Sequence, residues 1–174
     1  MTRIVCETGE VVDVVGRLEG AHLNELRLHR AILERAILVG TTFRACEARS
    51  ATFALAAAEG VRFLGCSLVL AKFHAADLRK SRIEGGDAAH SDFTGANLAG
   101  AVLRDVRLDG ASFRGCNLDT ADLSGVQMDG LVLEGAVYTP LTLWPTGFDP
   151  TTSGAVLVGD RKDQFLFLEG EPSA

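Results

Sequence analysis

Cysteines, histidines and aspartates are the residues of this chain whose chemistry would suit a catalytic or metal site. The four cysteines are Cys6, Cys46, Cys66 and Cys116, and no C-x-x-C pair occurs among them, so the spacing does not support a zinc site. The sequence also lacks a glycine-rich phosphate loop and a nucleophile-elbow motif. These residue types therefore predict no catalytic residue, no metal and no cofactor.

The elements that must position these side chains follow from a repeat of five residues. Residues 91–100 read SDFTG and then ANLAG, so each unit is small, polar, large apolar, variable and glycine. Stepping by five from Leu98 gives 24 consecutive units whose centres run from Leu23 to Tyr138 without an insertion. A second, usually small residue lies two positions before each centre, and glycine often lies two positions after it.

A period of five fits neither a helix nor a long strand. Five residues advance a helix by about 140° beyond a full turn, so the centres would never share one face. In extended chain, positions −2 and 0 point the same way, and the last two residues turn a corner that glycine accommodates. Four corners close a coil of twenty residues. At about 4.8 Å between stacked coils, 24 units predict six coils and a rod about 29 Å long.

The stretches GANLAGAV, CNLDTADLSG and HAADLRKS resemble the A-(D/N)-L-x-x pattern of the pentapeptide-repeat family over about residues 16–140. The resemblance implies an all-β fold, a right-handed quadrilateral parallel β-helix. We divide the chain into an N-terminal strand or cap (1–20), the β-helix (21–140), and a C-terminal cap and tail (141–174). The W-P-x-G-F-D-P segment resembles the tails of many family members, so Trp144 and Phe148 are expected to cover the last coil.

A competing interpretation makes the N-terminal third helical. The stretches HLNELRLHRAILERAILVG and SATFALAAAEG are rich in helix formers. The five-residue step continues through both stretches, and helix propensity is a weak guide. We therefore favour the β-helix throughout the repeats.

The repeat assigns a structural or solvent-exposed position, and no chemical role, to each group of reactive residues. Cys46, Cys66 and Cys116 occupy the inward −2 position and are expected to be small core thiols, too poorly aimed for a disulfide. All four histidines fall at outward positions. The aspartates and asparagines at position −1 are expected to be solvated or to bond the backbone of the turns.

Charge is distributed unevenly along the repeats. Residues 21–82 hold ten lysines and arginines against five acids, a net charge of +5, and residues 83–140 hold three against nine, a net charge of −6. The chain as a whole carries −6, which argues against direct nucleic-acid binding. No apolar run approaches the about 20 residues of a membrane helix. Acids near the N-terminus also disfavour a signal peptide, so we expect a bacterial cytoplasmic protein with reduced thiols.

Several apolar residues fall at positions predicted to face outward. Among them, Leu55, Leu64, Val69 and Leu70 form our candidate apolar contact surface. The tail residues Phe165 and Phe167 are candidates to pack on such a surface. The segment AVLVGDRKDQFLFLEG predicts a β-hairpin around Gly159-Asp160, or a tail added to the side of the rod.

These features favour a non-catalytic rod that binds a protein partner. The alternative, implied by the family resemblance, is a DNA-mimicking modulator of a type II topoisomerase such as gyrase, giving quinolone or antibiotic resistance. Its candidate acidic surface comprises Asp105, Asp109, Asp119, Asp122 and Asp129. The nearly neutral sum over the six coils disfavours that alternative. A homodimer is a further expectation, because the open ends of a β-helix expose strand edges.

Overall fold

Each five-residue unit forms one short extended segment followed by a corner. The structure, a computed structural model, describes residues 2–127 and 129–159. Corner residues adopt positive φ whether or not they are glycine, as at Leu55 (φ 58°) and Gly60 (φ 67°). Coils 1 to 6 begin at residues 21, 41, 61, 81, 101 and 121, and each has four faces. The chain thus folds as a parallel β-solenoid of about seven turns, which are the six coils that the repeat predicts and a partial seventh turn after them.

Face A is a six-stranded parallel sheet with one strand from each coil. Its strands are β3 (His22–Asn24), β4 (Thr42–Arg44), β5 (Arg62–Leu64), β6 (Arg82–Glu84), β7 (Val102–Arg104) and β8 (Asp122–Gly125). The register steps by twenty residues, so that Phe43 lies beside Phe63. A register shift between β7 and β8 interrupts this regularity.

The other three faces are held by single parallel bridges between coils, again twenty residues apart. In coil 1, face B contains residues 27–29, face C residues 32–34 and face D residues 37–39. Each later coil adds twenty to these numbers. Face A therefore lies opposite face C, and face B opposite face D.

The interior is filled by side chains at positions −2 and 0 of the units. In coil 5 all eight of these side chains are buried: Ala101, Leu103, Val106, Leu108, Ala111, Phe113, Cys116 and Leu118. Phenylalanines stack within faces A and C and meet edge to face across the interior, as Phe43 does with Phe53 at 6.0 Å between ring centroids. The helical interpretation of the N-terminal third is therefore wrong: its apolar residues are needed at period five, and packing overrides helix propensity.

The N-terminal end is covered by a hairpin. Strand β1 (Thr2–Val5) pairs antiparallel with β2 (Val11–Val14), and Cys6 bridges antiparallel to Ala31 of the first coil. The hairpin buries Ile4 and Cys6 over the first layer of the core. It places these two side chains where an open coil would otherwise expose apolar surface.

The C-terminal end is covered by a partial seventh turn. Leu143 bridges to Asp122 on face A, and β10 (Val156–Leu157) adds in parallel to β9 (Val137–Tyr138) on face D. A 3₁₀ helix (Pro150–Ser153) links the two parts. Val156 and Leu157 thus extend the rod as a parallel strand. The predicted hairpin turn continues beyond Gly159, so Asp160 and the tail residues Phe165 and Phe167 lie outside the described residues.

Aromatic side chains seal this last turn. The rings of Trp144 and Tyr138 meet edge to face with 5.5 Å between their centroids, and the ring centroid of Phe148 lies 5.3 Å from that of Trp144. Both Trp144 and Phe148 pack, half-buried, against the core. Within the described part of the chain, no helix has the length and apolar character needed to cross a membrane.

Candidate interaction surfaces

The cysteines are core residues rather than reactive groups. All four are free and buried. The thiols of Cys46, Cys66 and Cys116 donate to main-chain carbonyl oxygens of residues in the preceding coil, with Cys116 Sγ 2.8 Å from Phe93 O. Burial raises the pKa of the Cys116 thiol to about 12. The hydrogen bond with Cys46, together with burial, raises the pKa of Cys66. These groups act as small apolar side chains.

The histidines and acids do not converge on one point. Three of the histidines, His22, His74 and His90, are exposed, and the half-buried His29 contacts Glu47 through Nε2 at 3.0 Å. Among residues 2–127 and 129–159, no group of three or more His, Cys, Asp or Glu is arranged to hold a metal ion.

The aspartates and asparagines at position −1 accept hydrogen bonds from the backbone of the turn that follows them. Asp92 Oδ1 accepts from the amide of Thr94 at 2.9 Å, and Asn117 Oδ1 accepts from the amide of Asp119 at 3.0 Å. The same contact recurs at Asp77, Asp87, Asn97 and Asp122. As predicted from the repeat, these side chains stabilise the turns that follow them.

Ion pairs link neighbouring coils along the outer surface. Arg104 contacts Asp122 at 2.7 Å, and Arg107 contacts Asp87. The hydrogen bond from Ser124, with help from Arg104, lowers the pKa of Asp122, and Arg107 lowers that of Asp87. These two carboxylates are therefore already occupied within the chain.

The five predicted acidic residues do not form one surface. Asp109 and Asp129 lie on face B, and Asp105 lies at the corner between faces A and B. Asp119 lies on face D, where its carboxylate accepts from Thr139 Oγ1 at 2.9 Å. Asp122 lies on face A, bound to Arg104, with 13 % of its side chain exposed. Three of the five acids thus share one side of the rod.

The four predicted apolar residues are also divided among faces. Val69 and Leu70 are neighbours on face B and at its corner with face C. Leu64 lies on face A and is half-buried, whereas Leu55 lies at the corner between faces C and D, on the far side of face C from Leu70. Leu55 and Leu70 are 45 % and 42 % exposed. Only Val69 and Leu70 are brought together.

Comparison with known families agrees with this architecture. A family model described as pentapeptide repeats matches residues 17–47 and 89–125, with eight copies of the repeat. The chain belongs to the pentapeptide-repeat family. In this pentapeptide-repeat protein the unmatched residues 48–88 keep the same register, since Phe53 stacks on Phe73. No curated protein sequence matches the chain.

Solved structures of pentapeptide-repeat proteins resemble this one. Rfr23 from the cyanobacterium Cyanothece 51142 is 21 % identical with a TM-score of 0.51, covering 74 % of this chain and 87 % of that one. The protein alr5209 from Nostoc Pcc 7120 is 26 % identical with a TM-score of 0.38, covering 66 % and 85 %. QnrB1, described as a plasmid-mediated fluoroquinolone resistance protein, is 20 % identical with a TM-score of 0.46, covering 88 % and 89 %. The likeness to Rfr23 concerns the fold alone.

Sequence reasoning missed how charge is ordered face by face. Arg49, for example, was counted only in the net charge of residues 21–82, although it lies in one column with Val69 and Asp109. The sequence contains the information needed to find these columns. Because each coil has twenty residues, outward residues that are twenty positions apart lie in the same column.

Proposed function

We propose that this pentapeptide-repeat protein is a non-catalytic rod that binds a protein partner through its outer side chains. One observation carries the proposal: the interior of the coils is filled by stacked aromatic and aliphatic side chains, which leaves the outer faces as the place for recognition. A rigid solenoid also loses little conformational entropy when it binds. We further propose that it works in the cytoplasm.

The outer faces differ enough from one another to discriminate between partners. Face A presents the arginines Arg44, Arg62 and Arg82 in adjacent coils, and Arg82 contacts Glu84 at 2.9 Å. Face D presents Asn97, Ala99 and Asn117 in a nearly uncharged stretch. A partner that matches one face in charge will therefore not match its neighbours.

The test is photocrosslinking in cells that produce the protein. A photoreactive amino acid is placed at one exposed position per face: Arg62 on A, Arg49 on B, His74 on C and Ala57 on D. We expect one face to yield a crosslink to a distinct protein, and charge changes on that face to abolish it while circular dichroism stays unchanged. Background-level crosslinking from all four faces would refute a stable protein partner.

A second candidate function is modulation of a type II topoisomerase by mimicry of DNA. Asp105, Asp109 and Asp129, which lie on one side of the rod, are the observation that favours it. Gyrase supercoiling is measured with the protein titrated in, with and without a quinolone. Inhibition or drug protection that the triple substitution D105K/D109K/D129K removes would support this function. Unchanged supercoiling across the titration would exclude it for gyrase.

A further inference from the structure

We propose that face B binds a second copy of this chain, with the two rods antiparallel and related by a two-fold axis between coils 3 and 4. The inference goes beyond the proposed function, because it names the partner of one face from the charges on that face. It does not depend on any other protein partner.

Face B presents two straight columns of outward side chains. The −1 column consists of Arg27, Glu47, Ser67, Asp87, Arg107 and Gln127, and bridges link its first five members in order. The +1 column consists of His29, Arg49, Val69, Ala89, Asp109 and Asp129.

A two-fold axis in the contact plane, perpendicular to the rods, sets each column against its own reversed copy. Coil 1 then meets coil 6, coil 2 meets coil 5, and coil 3 meets coil 4. Arg49 therefore faces Asp109 of the second copy, and Glu47 faces Arg107 of the second copy.

The reversed columns bring no like charges together at any of their six positions. His29 faces Asp129 at the ends, and Val69 faces Ala89 at the uncharged centre. The remaining two positions set Arg27 against Gln127 and Ser67 against Asp87, so no like charges meet. Symmetry doubles each contact, which places two kinds of opposite-charge contact, Arg49 with Asp109 and Glu47 with Arg107, on both sides of the axis.

The same two-fold rotation brings like charges together on each of the other three faces. On face A it sets Arg62 against Arg82 and Arg44 against Arg104. On face C it sets Glu34 against Glu134, and on face D it sets Glu59 against Asp119. Like charges in direct opposition disfavour an interface, so face B is singled out among the outward positions of the described coils.

Contacts within the chain prearrange the charges of face B. In coils 1 and 2, His29 lies 3.0 Å from Glu47, while Arg49 has no ion-pair partner among the described residues. Arg107 of coil 5 contacts Asp87 of coil 4, and its Nε atom lies 3.9 Å from Oδ2 of Asp109. Glu47 and Arg49 of one copy thus meet Arg107 and Asp109 of the second copy.

The size of the face determines how tight the dimer is. Six coils at about 4.8 Å and a width of about 10 Å give roughly 300 Å² per partner. Stable complexes bury about 800 Å² per partner, so this dimer belongs to the weak, reversible class. Its contacts are exposed ion pairs, so salt weakens it.

Sedimentation equilibrium of the full chain, up to about 1 mM protein in low salt, tests the proposal. We expect a monomer–dimer equilibrium that 0.5 M salt shifts at least about tenfold toward monomer. Arg49→Asp sets a carboxylate against Asp109 of the second copy on both sides of the axis, so it weakens the dimer at least about tenfold. Asp109→Arg sets two arginines against each other and weakens the dimer by a similar factor. The double variant R49D/D109R restores the opposite charges and returns the dissociation constant to within about threefold of the unaltered protein.

The control is Arg62→Asp on face A, which leaves the equilibrium unchanged. The double variant also separates the proposal from a parallel dimer, in which Arg49 would face Glu47 and Asp109 would face Arg107, so that the exchange of charges would not restore binding. A monomer at every concentration, a dimer insensitive to Arg49→Asp, or a double variant as weak as the singles would each overturn the proposal.

Discussion

The ring of Phe73 stacks on that of Phe93 with 4.7 Å between centroids and 3° between planes, although the two residues are twenty positions apart in sequence. The contact continues to Phe113 at 4.8 Å, and Phe73 stacks on Phe53 in the other direction, so Phe73 and Phe93 each pack between the rings of two neighbouring coils. The core is therefore continuous along the rod axis, and an internal ring cannot be removed without opening a gap between two coils.

Replacing Phe93 by alanine tests this continuity. We expect Phe93→Ala to lower the free energy of unfolding by about 3–5 kcal/mol, because the lost ring leaves a cavity that the neighbouring coils cannot close. Urea unfolding followed by circular dichroism measures it. The control Phe148→Ala, at a half-buried position in the terminal cap, should cost less. Equal costs would argue against a continuous core.

Gly86 is required by its surroundings as well as by its backbone angles. It has φ +79°, and a Cβ built there would lie 2.2 Å from the carbonyl oxygen of Cys66. Gly95 has φ +68° but no atom within 4 Å of such a Cβ. We expect Gly95→Ala to cost about 1–2 kcal/mol from strain alone. Gly86→Ala should cost clearly more, as measured by thermal unfolding, and similar losses would show that the backbone relaxes freely.

Ser81 and Ser91 occupy the same position two units apart in coil 4 and provide a matched pair. Both are buried, but Ser91 Oγ donates to Ala88 O at 2.7 Å, whereas Ser81 Oγ has no partner among the described residues. We expect Ser91→Ala to destabilise the fold by about 1 kcal/mol and Ser81→Ala to be neutral or stabilising. Chemical denaturation of both variants gives the comparison, and a larger loss at Ser81 would contradict it.

The carboxylate of Asp122 makes stability depend on pH in acid. Hydrogen bonds from Ser124 and the contact with Arg104 lower its pKa in the folded chain. Because the folded pKa lies below the unfolded one, its contribution is present above about pH 4 and is lost as pH falls through the folded pKa. Asp122→Asn should therefore reduce stability at pH 7 and flatten the loss of stability below about pH 4.

Urea unfolding at pH 7 and in mild acid measures this dependence. Asp129→Asn is the control, because it removes an exposed carboxylate that has no ion pair among the described residues. An Asp122→Asn variant that lost stability in acid as steeply as the unaltered protein would show that other carboxylates dominate.

The buried thiols should react slowly in the folded protein. Cys46 is 2 % exposed, and although its hydrogen bond with Cys66 lowers its pKa to about 7, reagent access limits the reaction. We expect a thiol reagent to label the native chain at the rate of unfolding and the denatured chain at once. Rapid labelling of native Cys46 would show local opening of coils 2 and 3.

The sequence by itself determined the solenoid. Period five admits one regular arrangement of inward and outward side chains, and this is why Phe53, Phe73 and Cys66 were placed correctly without coordinates. The same rule rejected a helix in a stretch with high helix propensity, because a buried column needs its apolar residues in register.

Only the tertiary structure decided which distant residues meet. The hairpin of β1 and β2 over the first coil, the close approach of Gly86 to Cys66 and the pairing of Asp122 with Arg104 depend on chain closure and side-chain geometry, which a local pattern does not encode. The division of the predicted acids among faces, by contrast, was already implied by their spacing along the coils, which a net charge does not use. Net charge along the sequence averages over four faces, whereas a partner contacts one.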